Sequence, residues 1–138
     1  MREPDLLVDT SAAVALVVTG HEKHAETLSA LEGLTLGLAG HAWFETFSVL
    51  TRLPRPARRS AGDVLTILGH NFPASRFLSA GAAVELTNEI AQRGIAGASI
   101  YDALVAAAAR EHDRPLASRD RRAASVYQGF ELELRWIV

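Results

Sequence analysis

Short apolar runs alternate along this chain with longer segments in which apolar residues recur at helical spacing. The first run, Leu6 to Val8, predicts a short buried strand. Asp9, Thr10 and Ser11 follow it and lead into an apolar stretch that predicts a helix up to Gly20. A strand that passes directly into a helix is typical of the start of an α/β unit.

The remaining segments continue this alternation. In chain order they predict a helix at His21–Leu31, a strand at 35–39, a helix at 42–53 that Pro54 and Pro56 end, a helix at Ala57–Leu68, a short strand around Phe77, helices at Ala82–Arg93 and Ser99–His112, a strand at Pro115–Ser118, a short helix at Arg121–Tyr127 and a closing strand at Leu132–Val138. This order predicts a parallel sheet covered on both faces, with ligands bound beyond the carboxyl ends of the strands.

Composition limits the classes of protein that fit this pattern. With 138 residues, 49% of them hydrophobic and 22% charged, the chain suits one globular domain with a real core. It has no cysteine, which excludes disulfides, thiolate nucleophiles and zinc–cysteine sites. Acids interrupt the apolar start, and no apolar run approaches the ~20 residues that span a bilayer. We therefore expect a cytoplasmic protein without a membrane segment.

Four carboxylates lie alone within otherwise apolar segments. They are Asp9 after the first predicted strand, Glu45 in the third predicted helix, Asp102 near the start of a later helix, and Asp120 just past the strand that ends at Ser118. An ionised side chain in a segment that packs against a core is costly unless it is paired, protonated or bound to a cation. Two of these acids follow strands and two lie near helix starts, so all four could face the same rim of the sheet.

A cluster of such acids favours a divalent cation. Two carboxylates about 4 Å apart repel by roughly 4 kcal/mol at an effective dielectric constant of ~20, so the group would hold either protons or a cation. Mg²⁺ or Mn²⁺ prefers oxygen ligands and keeps part of its water shell for substrate phosphates. The chemistry this predicts is metal-dependent hydrolysis of a phosphodiester.

Each acid also has a structural interpretation. Asp9 could cap the helix after it, Asp102 could form a capping box with Ser99, and Asp120 could cap or pair with the arginines beside it. Thr10 and Ser11 suit helix caps too, a role that is compatible with hydrogen bonds to metal-bound carboxylates. The four acids together indicate a functional site more specifically than any one of them.

The basic residues near these acids offer a way to hold nucleic acid. Without the four acids the chain keeps 12 acidic residues against 14 basic ones, so net charge does not exclude a polyanionic partner. Arg52 begins the arginine-rich stretch 52–59, and Arg119, Arg121 and Arg122 flank Asp120. Such stretches are usually solvated, but beside an acidic phosphodiester site they could bind the nucleic-acid backbone. We select Arg52, Arg119 and Arg121 as candidate nucleic-acid-binding residues, which become RNA-binding candidates under the family resemblance given below.

Four acid-bearing segments follow one another along nearly the whole chain: LLVDTSAAVAL, AWFETFSVLTRLP, IYDALVAAAA and LASRDRRAA. In this order and spacing they resemble the PIN-domain toxins of the VapC family. The resemblance implies that residues 1–138 form a single PIN domain, a three-layer α/β/α sandwich around a central parallel sheet. It also implies a Mg²⁺- or Mn²⁺-dependent endoribonuclease that is the toxin of a type II toxin–antitoxin pair.

The resemblance also implies roles for residues and partners. The family's acidic quartet falls on Asp9, Glu45, Asp102 and Asp120, with metal ligation mainly by Asp9, Asp102 and Asp120 and with supporting hydroxyls at Ser11 and Ser118. Ser48 stands where many relatives have asparagine. The implied partners are an RNA substrate, a second copy in a homodimer, and a small VapB-type antitoxin whose tail occupies the acidic groove.

Three other functions are compatible with parts of the pattern. A phosphoacceptor receiver domain also places aspartates at strand ends, but it needs a lysine near the phosphate, and Lys23 is the only lysine. A catalytically silent RNA- or protein-binding module of the same fold would not need all four acids. A DNA-directed nuclease would share the acids, so the choice of RNA over DNA rests on the resemblance.

Overall fold

A four-stranded parallel sheet lies at the centre of the molecule. The computed structural model describes residues 2–138, and its strands are β1 (Leu6–Val8), β2 (Leu36–Leu38), β3 (Leu116–Ser118) and β4 (Leu134–Trp136). They pair in the order β2-β1-β3-β4, and every pairing is parallel. The helices are α1 (Thr10–Val17), α2 (His24–Leu31), α3 (His41–Thr51), α4 (Ala61–Asn71), α5 (Ala80–Arg93), α6 (Ser99–Glu111) and α7 (Ala124–Gln128), with a 3₁₀ turn at Arg121–Ala123 before α7.

The two central strands are buried on both faces. Every residue of β1 and β3 is shielded from solvent, as expected for parallel strands with helices on either side. The crossover from β1 to β2 runs in the opposite direction to those from β2 to β3 and from β3 to β4. Since such crossovers are right-handed, α1 and α2 cover one face, whereas α6 and α7 cover the other. This arrangement is the α/β/α sandwich that the sequence predicts.

Several predicted boundaries shift in the structure. The helix predicted up to Gly20 ends at Val17, and the helix predicted from Ala57 begins at Ala61, where the Ser60 hydroxyl accepts a hydrogen bond from the Asp63 amide at 3.2 Å. A side-chain cap of this kind fixes a helix start in a way that apolar spacing does not.

The strand predicted around Phe77 does not form. Its neighbour Arg76 makes a single parallel bridge with Ala39, just past the end of β2. The chain before it passes so close to β2 that a Cβ on Gly37 would lie 2.1 Å from the Ala74 carbonyl oxygen. Backbone contact on the edge of the sheet therefore replaces a fifth strand. Within residues 2–138, no helix is both long and apolar enough to cross a membrane.

Candidate active site

The four predicted acids lie at the carboxyl-terminal rim of the sheet. Asp9 directly follows β1 and Asp120 lies two residues after β3, whereas Glu45 is in the second turn of α3 and Asp102 in the first turn of α6. The pKa of Asp102 shows that the four interact. Burial raises it, and the negative charges of the other three acids raise it further, against the lowering effect of a nearby arginine. The fold thus brings together side chains that are far apart in sequence.

Asp9 is the buried member of the group. Asp9 is only 3% exposed, and protein donors contact both oxygens of its carboxylate. Oδ1 accepts hydrogen bonds from the Ser11 hydroxyl at 2.6 Å and the Ala12 amide at 3.1 Å. Oδ2 accepts from the Ser118 hydroxyl at 2.5 Å and the Tyr127 hydroxyl at 2.9 Å. A carboxylate has about four lone-pair directions, so these four donors hold Asp9 in one orientation.

Two opposing effects act on the charge of Asp9. Burial raises its pKa, because desolvation penalises the ionised form, and this effect outweighs the hydrogen bonds from its donors, which lower the pKa. The Tyr127 hydroxyl is itself buried next to this negative charge, and both conditions raise its pKa. Tyr127 therefore stays protonated at neutral pH and remains a donor to Asp9.

Two serines connect Asp9 to the segment that carries Asp120. The Ser118 hydroxyl donates to Asp9 and accepts a hydrogen bond from the Asp120 amide at 3.0 Å. The Ser11 hydroxyl also donates to Asp9 and accepts from the Arg119 amide at 2.9 Å. The first and last of the four acids are thereby fixed relative to each other by short side chains.

Arg122 lies between the two partly exposed aspartates. Its Nη2 is 2.8 Å from Asp120 Oδ2 and its Nη1 is 3.5 Å from Asp102 Oδ2. Its backbone amide also donates to Asp120 Oδ1 at 3.0 Å. The negative charges of Asp120 and Asp102 raise the pKa of the Arg122 guanidinium. Its side chain is nonetheless 65% exposed, so the counter-ion of these two acids is free to exchange with solvent ions.

Glu45 differs from the other three acids because it is exposed. Its Oε1 accepts a hydrogen bond from the Thr10 hydroxyl at 2.8 Å, which joins α3 to the start of α1. Gly40 sets the direction of α3, since its φ of 53° lies in the left-handed region, and a Cβ there would lie 2.9 Å from the Ala108 side chain. The sequence argument that burial makes an unpaired acid costly therefore applies to Asp9 and not to the exposed Glu45.

The structural interpretations of the acids have mixed outcomes. Asp9 does cap α1, and Asp120 does cap the 3₁₀ turn by accepting from the Arg122 amide. The capping box between Ser99 and Asp102 does not form, because Ser99 is already inside α6 and Ala98 precedes it without a side-chain cap. Capping thus explains two acids in part, whereas Asp102 and Glu45 have no capping role.

The candidate RNA-binding arginines occupy different environments. Arg52 is exposed just past the end of α3, where its Nε contacts the Ser48 hydroxyl at 3.3 Å. Arg121 stacks over the Trp136 ring at 4.3 Å from the centroid. Arg119 is partly buried, and its Nε has no hydrogen-bond partner among residues 2–138. Of the arginines beside Asp120, Arg122 is the one that contacts the acids.

The donor set suits a hard cation after a local rearrangement. Within the described chain no three acidic or histidine side chains are placed to hold a metal ion as they stand. Two features explain this: Arg122 spans Asp102 and Asp120, and protein donors already contact both oxygens of Asp9. Carboxylate oxygens are the ligands that Mg²⁺ and Mn²⁺ prefer, and the exposed Arg122 side chain can move away. The residues therefore fit a divalent cation that displaces Arg122 from Asp102 and Asp120 and one of the hydroxyl donors from Asp9.

The sequence pattern of the PIN domain matches residues 6–129. The chain belongs to the PIN-domain family. This PIN domain is 44% identical over 126 residues to ribonuclease VapC27 of Mycobacterium tuberculosis, a match that covers 91% of this chain and 92% of the relative. It is 36% identical over 131 residues to ribonuclease VapC40 of the same species, which covers 94% and 96% of the two chains.

Solved structures share the fold of this PIN domain. VapC20 of Mycobacterium tuberculosis, described as a toxin that cleaves the sarcin-ricin loop, superposes with a TM-score of 0.67 at 22% identity, over 88% of this chain and 94% of that one. FitAB bound to a DNA fragment gives a TM-score of 0.66 at 13% identity, over 95% and 94%. VapBC2 from Rickettsia felis, bound to a fragment of its promoter, gives 0.62 at 17% identity, over 95% and 97%.

Sequence reasoning missed Tyr127 as part of the site of this PIN domain. It lies in a short apolar segment, where a tyrosine is expected in the core, and its ring is indeed buried. A buried tyrosine hydroxyl normally finds a hydrogen-bond partner, which is a signal that something polar lies nearby. The sequence does not reveal that this partner is Asp9.

Proposed function

We propose that this PIN domain is a Mg²⁺- or Mn²⁺-dependent endoribonuclease and the toxin of a type II toxin–antitoxin pair. The observation that carries the proposal is the convergence of Asp9, Glu45, Asp102 and Asp120 on one rim, where burial and the other three acids raise the pKa of Asp102. Acids whose negative charges repel one another bind a divalent cation readily, because the cation relieves the repulsion. The names of its relatives VapC27 and VapC40 support the choice of RNA.

The three aspartates are the residues to which we assign metal ligation. Asp102 and Asp120 present partly exposed carboxylates, and Asp9 contributes a third acid whose orientation the surrounding hydroxyls fix. A bound Mg²⁺ or Mn²⁺ would activate a water and neutralise charge that develops on the phosphodiester. Ser11 and Ser118 would keep the aspartates at their places while Arg122 moves.

We assign to Glu45 the role of orienting the attacking water. Thr10 holds Oε1, so Oε2 is the oxygen that would orient the water and accept its proton. In-line attack on the phosphorus would then break the bond to the leaving oxygen, which takes up a proton from solvent. Arg52 and the arginines near Asp120 are proposed to contact phosphates of the RNA on either side.

The proposed partners follow from the same rim. A VapB-type antitoxin would silence the site if its tail placed an arginine among the acids, where Arg122 already shows that a guanidinium fits. We also propose that the protein acts as a homodimer in the cytoplasm, where its RNA substrate is found.

Cleavage of total cellular RNA by purified, antitoxin-free protein tests the function. We expect discrete fragments with Mg²⁺ or Mn²⁺ and none with a chelator. Asp9→Asn should lose the fragments. Circular dichroism checks that this variant is folded, because the NH₂ of the amide cannot accept from the hydroxyls that contact one oxygen of Asp9, and the variant is therefore expected to be less stable. Asp63→Asn is the matched control, since Asp63 is exposed in the first turn of α4, and it should cleave as wild type does.

Two results would contradict the proposal. Cleavage that persists in Asp9→Asn would place the chemistry elsewhere. An absence of metal-dependent cleavage of both RNA and single-stranded DNA, in a protein that still binds RNA, would identify a silent binding module.

A further inference from the structure

Two aromatic rings stack on each other beside the acidic rim. The rings of His41 and Tyr101 have their centroids 4.9 Å apart and their planes 17° from parallel. His41 is the first residue of α3 and Tyr101 lies in the first turn of α6, so the pair joins the two helices that carry Glu45 and Asp102. The stacking fixes the orientation of a ring whose residue is still 51% exposed.

The sequence positions place this pair next to the acids. Tyr101 directly precedes Asp102. His41 lies four residues before Glu45, so the two share one face of α3 and are separated by about 6 Å along its axis. Arg52 lies beyond Glu45 in the other direction along this helix, about 10 Å further on. Along α3, Glu45 thus lies between the aromatic pair and the basic end.

Other aromatic side chains of α3 have a different role. Trp43 and Phe47 stack on each other and pack against the hydrophobic core. Phe77 contacts Trp43 and Phe44 and is 47% exposed. These rings form one continuous group with the core, whereas the Tyr101 ring contacts His41 beside the acids and keeps much of its surface open to solvent.

We propose that His41 and Tyr101 form a stacking platform for an unpaired base of the RNA, next to the phosphate that is cleaved. This inference rests on the proposed function. Single-stranded RNA is bound by stacking its bases on aromatic side chains, and a ring that a second ring already orients loses little further freedom on binding. Because a π-face accepts any base, the platform would favour an unstacked nucleotide over a duplex without reading a particular base.

Photo-crosslinking locates the base directly. The full-length wild-type protein is mixed with cellular RNA that contains 4-thiouridine, in the presence of a chelator so that no cleavage occurs, and is then irradiated and digested. We expect the crosslinked peptide to carry Tyr101 or His41. Crosslinks confined to the arginine-rich stretch 52–59 or to the Phe77 region would overturn the proposal.

Kinetics on the shortest RNA that the wild type cleaves give a second readout. We expect Tyr101→Ala to raise KM about tenfold, in line with the loss of one stacked base, and to leave kcat within about twofold. Tyr101→Trp keeps an aromatic face and should restore the wild-type KM. Phe77→Ala is the matched control, because it removes a ring of similar exposure outside the pair, and its KM should not change.

The two experiments separate this inference from the proposed function. Metal-dependent cleavage with an unchanged KM in Tyr101→Ala, or an equal increase in Phe77→Ala, would overturn the platform and leave the nuclease intact. Loss of cleavage with both metals would overturn the nuclease, and the crosslinked residue would still decide whether the pair binds a base.

Discussion

Asp9 and the pair Asp102 and Asp120 belong to the same site, but the protein compensates their charges in opposite ways. Neutral donors surround Asp9: three hydroxyls and one backbone amide, all contributed by packed parts of the fold. The charged side chain of Arg122 compensates the other two, and it is 65% exposed. One carboxylate is thus fixed by the fold, while the other two share a counter-ion that solvent ions can replace.

The difference suggests a division of labour within the site. A buried polar network that is fully hydrogen-bonded specifies one geometry, since each group has lost the water that would let it move. An ion pair at the surface contributes little to stability and exchanges readily. We infer that the Asp9 network sets the position of the acids, whereas the Arg122 pair keeps them neutralised until a cation binds.

The largest effect on stability is expected from Ser118→Ala. This change removes the 2.5 Å hydrogen bond to Asp9 Oδ2 and leaves the Asp120 amide without its acceptor. A hydrogen bond to a buried charged group contributes about 1.5–3 kcal/mol, so we expect the free energy of unfolding in urea to fall by about 2 kcal/mol or more. Ser125→Ala, at an exposed position in α7, should change it by less than about 0.5 kcal/mol. Equal losses in the two variants would contradict the account of Asp9.

Tyr127→Phe should have a somewhat smaller effect. It removes the 2.9 Å hydrogen bond to Asp9 and keeps the buried ring, so packing is preserved. We expect the free energy of unfolding to fall by about 1.5 kcal/mol, as for the loss of one hydrogen bond to a charged group. Combined with Ser118→Ala, the two losses should not add, because both variants remove donors from the same oxygen. Strict additivity, measured in a double-mutant cycle, would show that the two donors act independently.

Arg122→Gln tests whether Arg122 is a counter-ion of Asp102 and Asp120 that a cation can replace. Two opposite unit charges about 4 Å apart attract by about 1 kcal/mol in water, and Mn²⁺ has to overcome this attraction between Arg122 and the carboxylates. Removing the charge of Arg122 should therefore tighten Mn²⁺ binding about fivefold in a titration without RNA. Arg122→Lys retains the charge and is the matched control. Because Arg122 is exposed, the urea stability of Arg122→Gln should change little in either direction. Weaker Mn²⁺ binding in Arg122→Gln than in Arg122→Lys would show that the arginine supports the metal site instead of competing with the cation.

The smallest effect is a pH dependence that Asp102 contributes in the absence of metal. Its pKa is raised in the folded protein by burial and by the neighbouring acids, so the folded state binds more protons than the unfolded chain between the ordinary and the raised pKa. The contribution of Asp102 to the free energy of unfolding should therefore increase as the pH falls through this window and decrease as the pH rises. With a chelator present, the increase in the free energy of unfolding between pH 7 and pH 5 should be smaller for Asp102→Asn than for wild type. A larger gain in the variant would show that Arg122 dominates the charge of Asp102.

The sequence predicts the fold well because one pattern determines it. Short apolar runs between helices require a parallel sheet, and its carboxyl ends bring Asp9 and Asp120 to one rim, as observed. The predicted strand around Phe77 is wrong for a local reason. The edge of the sheet beside β2 is occupied by the backbone before Phe77, where the amides of Ala74 and Arg76 donate to the carbonyls of Leu36 and Leu38. Apolar character alone does not reveal such a contact.

The contacts within the site are harder to predict. Three arginines flank Asp120, and the sequence does not select Arg122, because the choice depends on how the 3₁₀ turn directs each side chain. Tyr127 is seven residues beyond Asp120 and looks like a core residue until its hydroxyl is seen to contact Asp9. Such contacts depend on the three-dimensional packing of distant segments, so they follow from the fold and not from local pattern.

Titration of Mn²⁺ into the chelator-treated protein, followed by electron paramagnetic resonance, tests most directly whether the acids form one metal site. Asp102 is the acid to change, since its pKa responds to all three of the others. Wild type and the surface control Asp63→Asn should bind Mn²⁺ with the same affinity, and Asp102→Asn should bind it at least about tenfold more weakly. Unchanged Mn²⁺ affinity in Asp102→Asn would contradict the assignment of a shared metal site to the three aspartates.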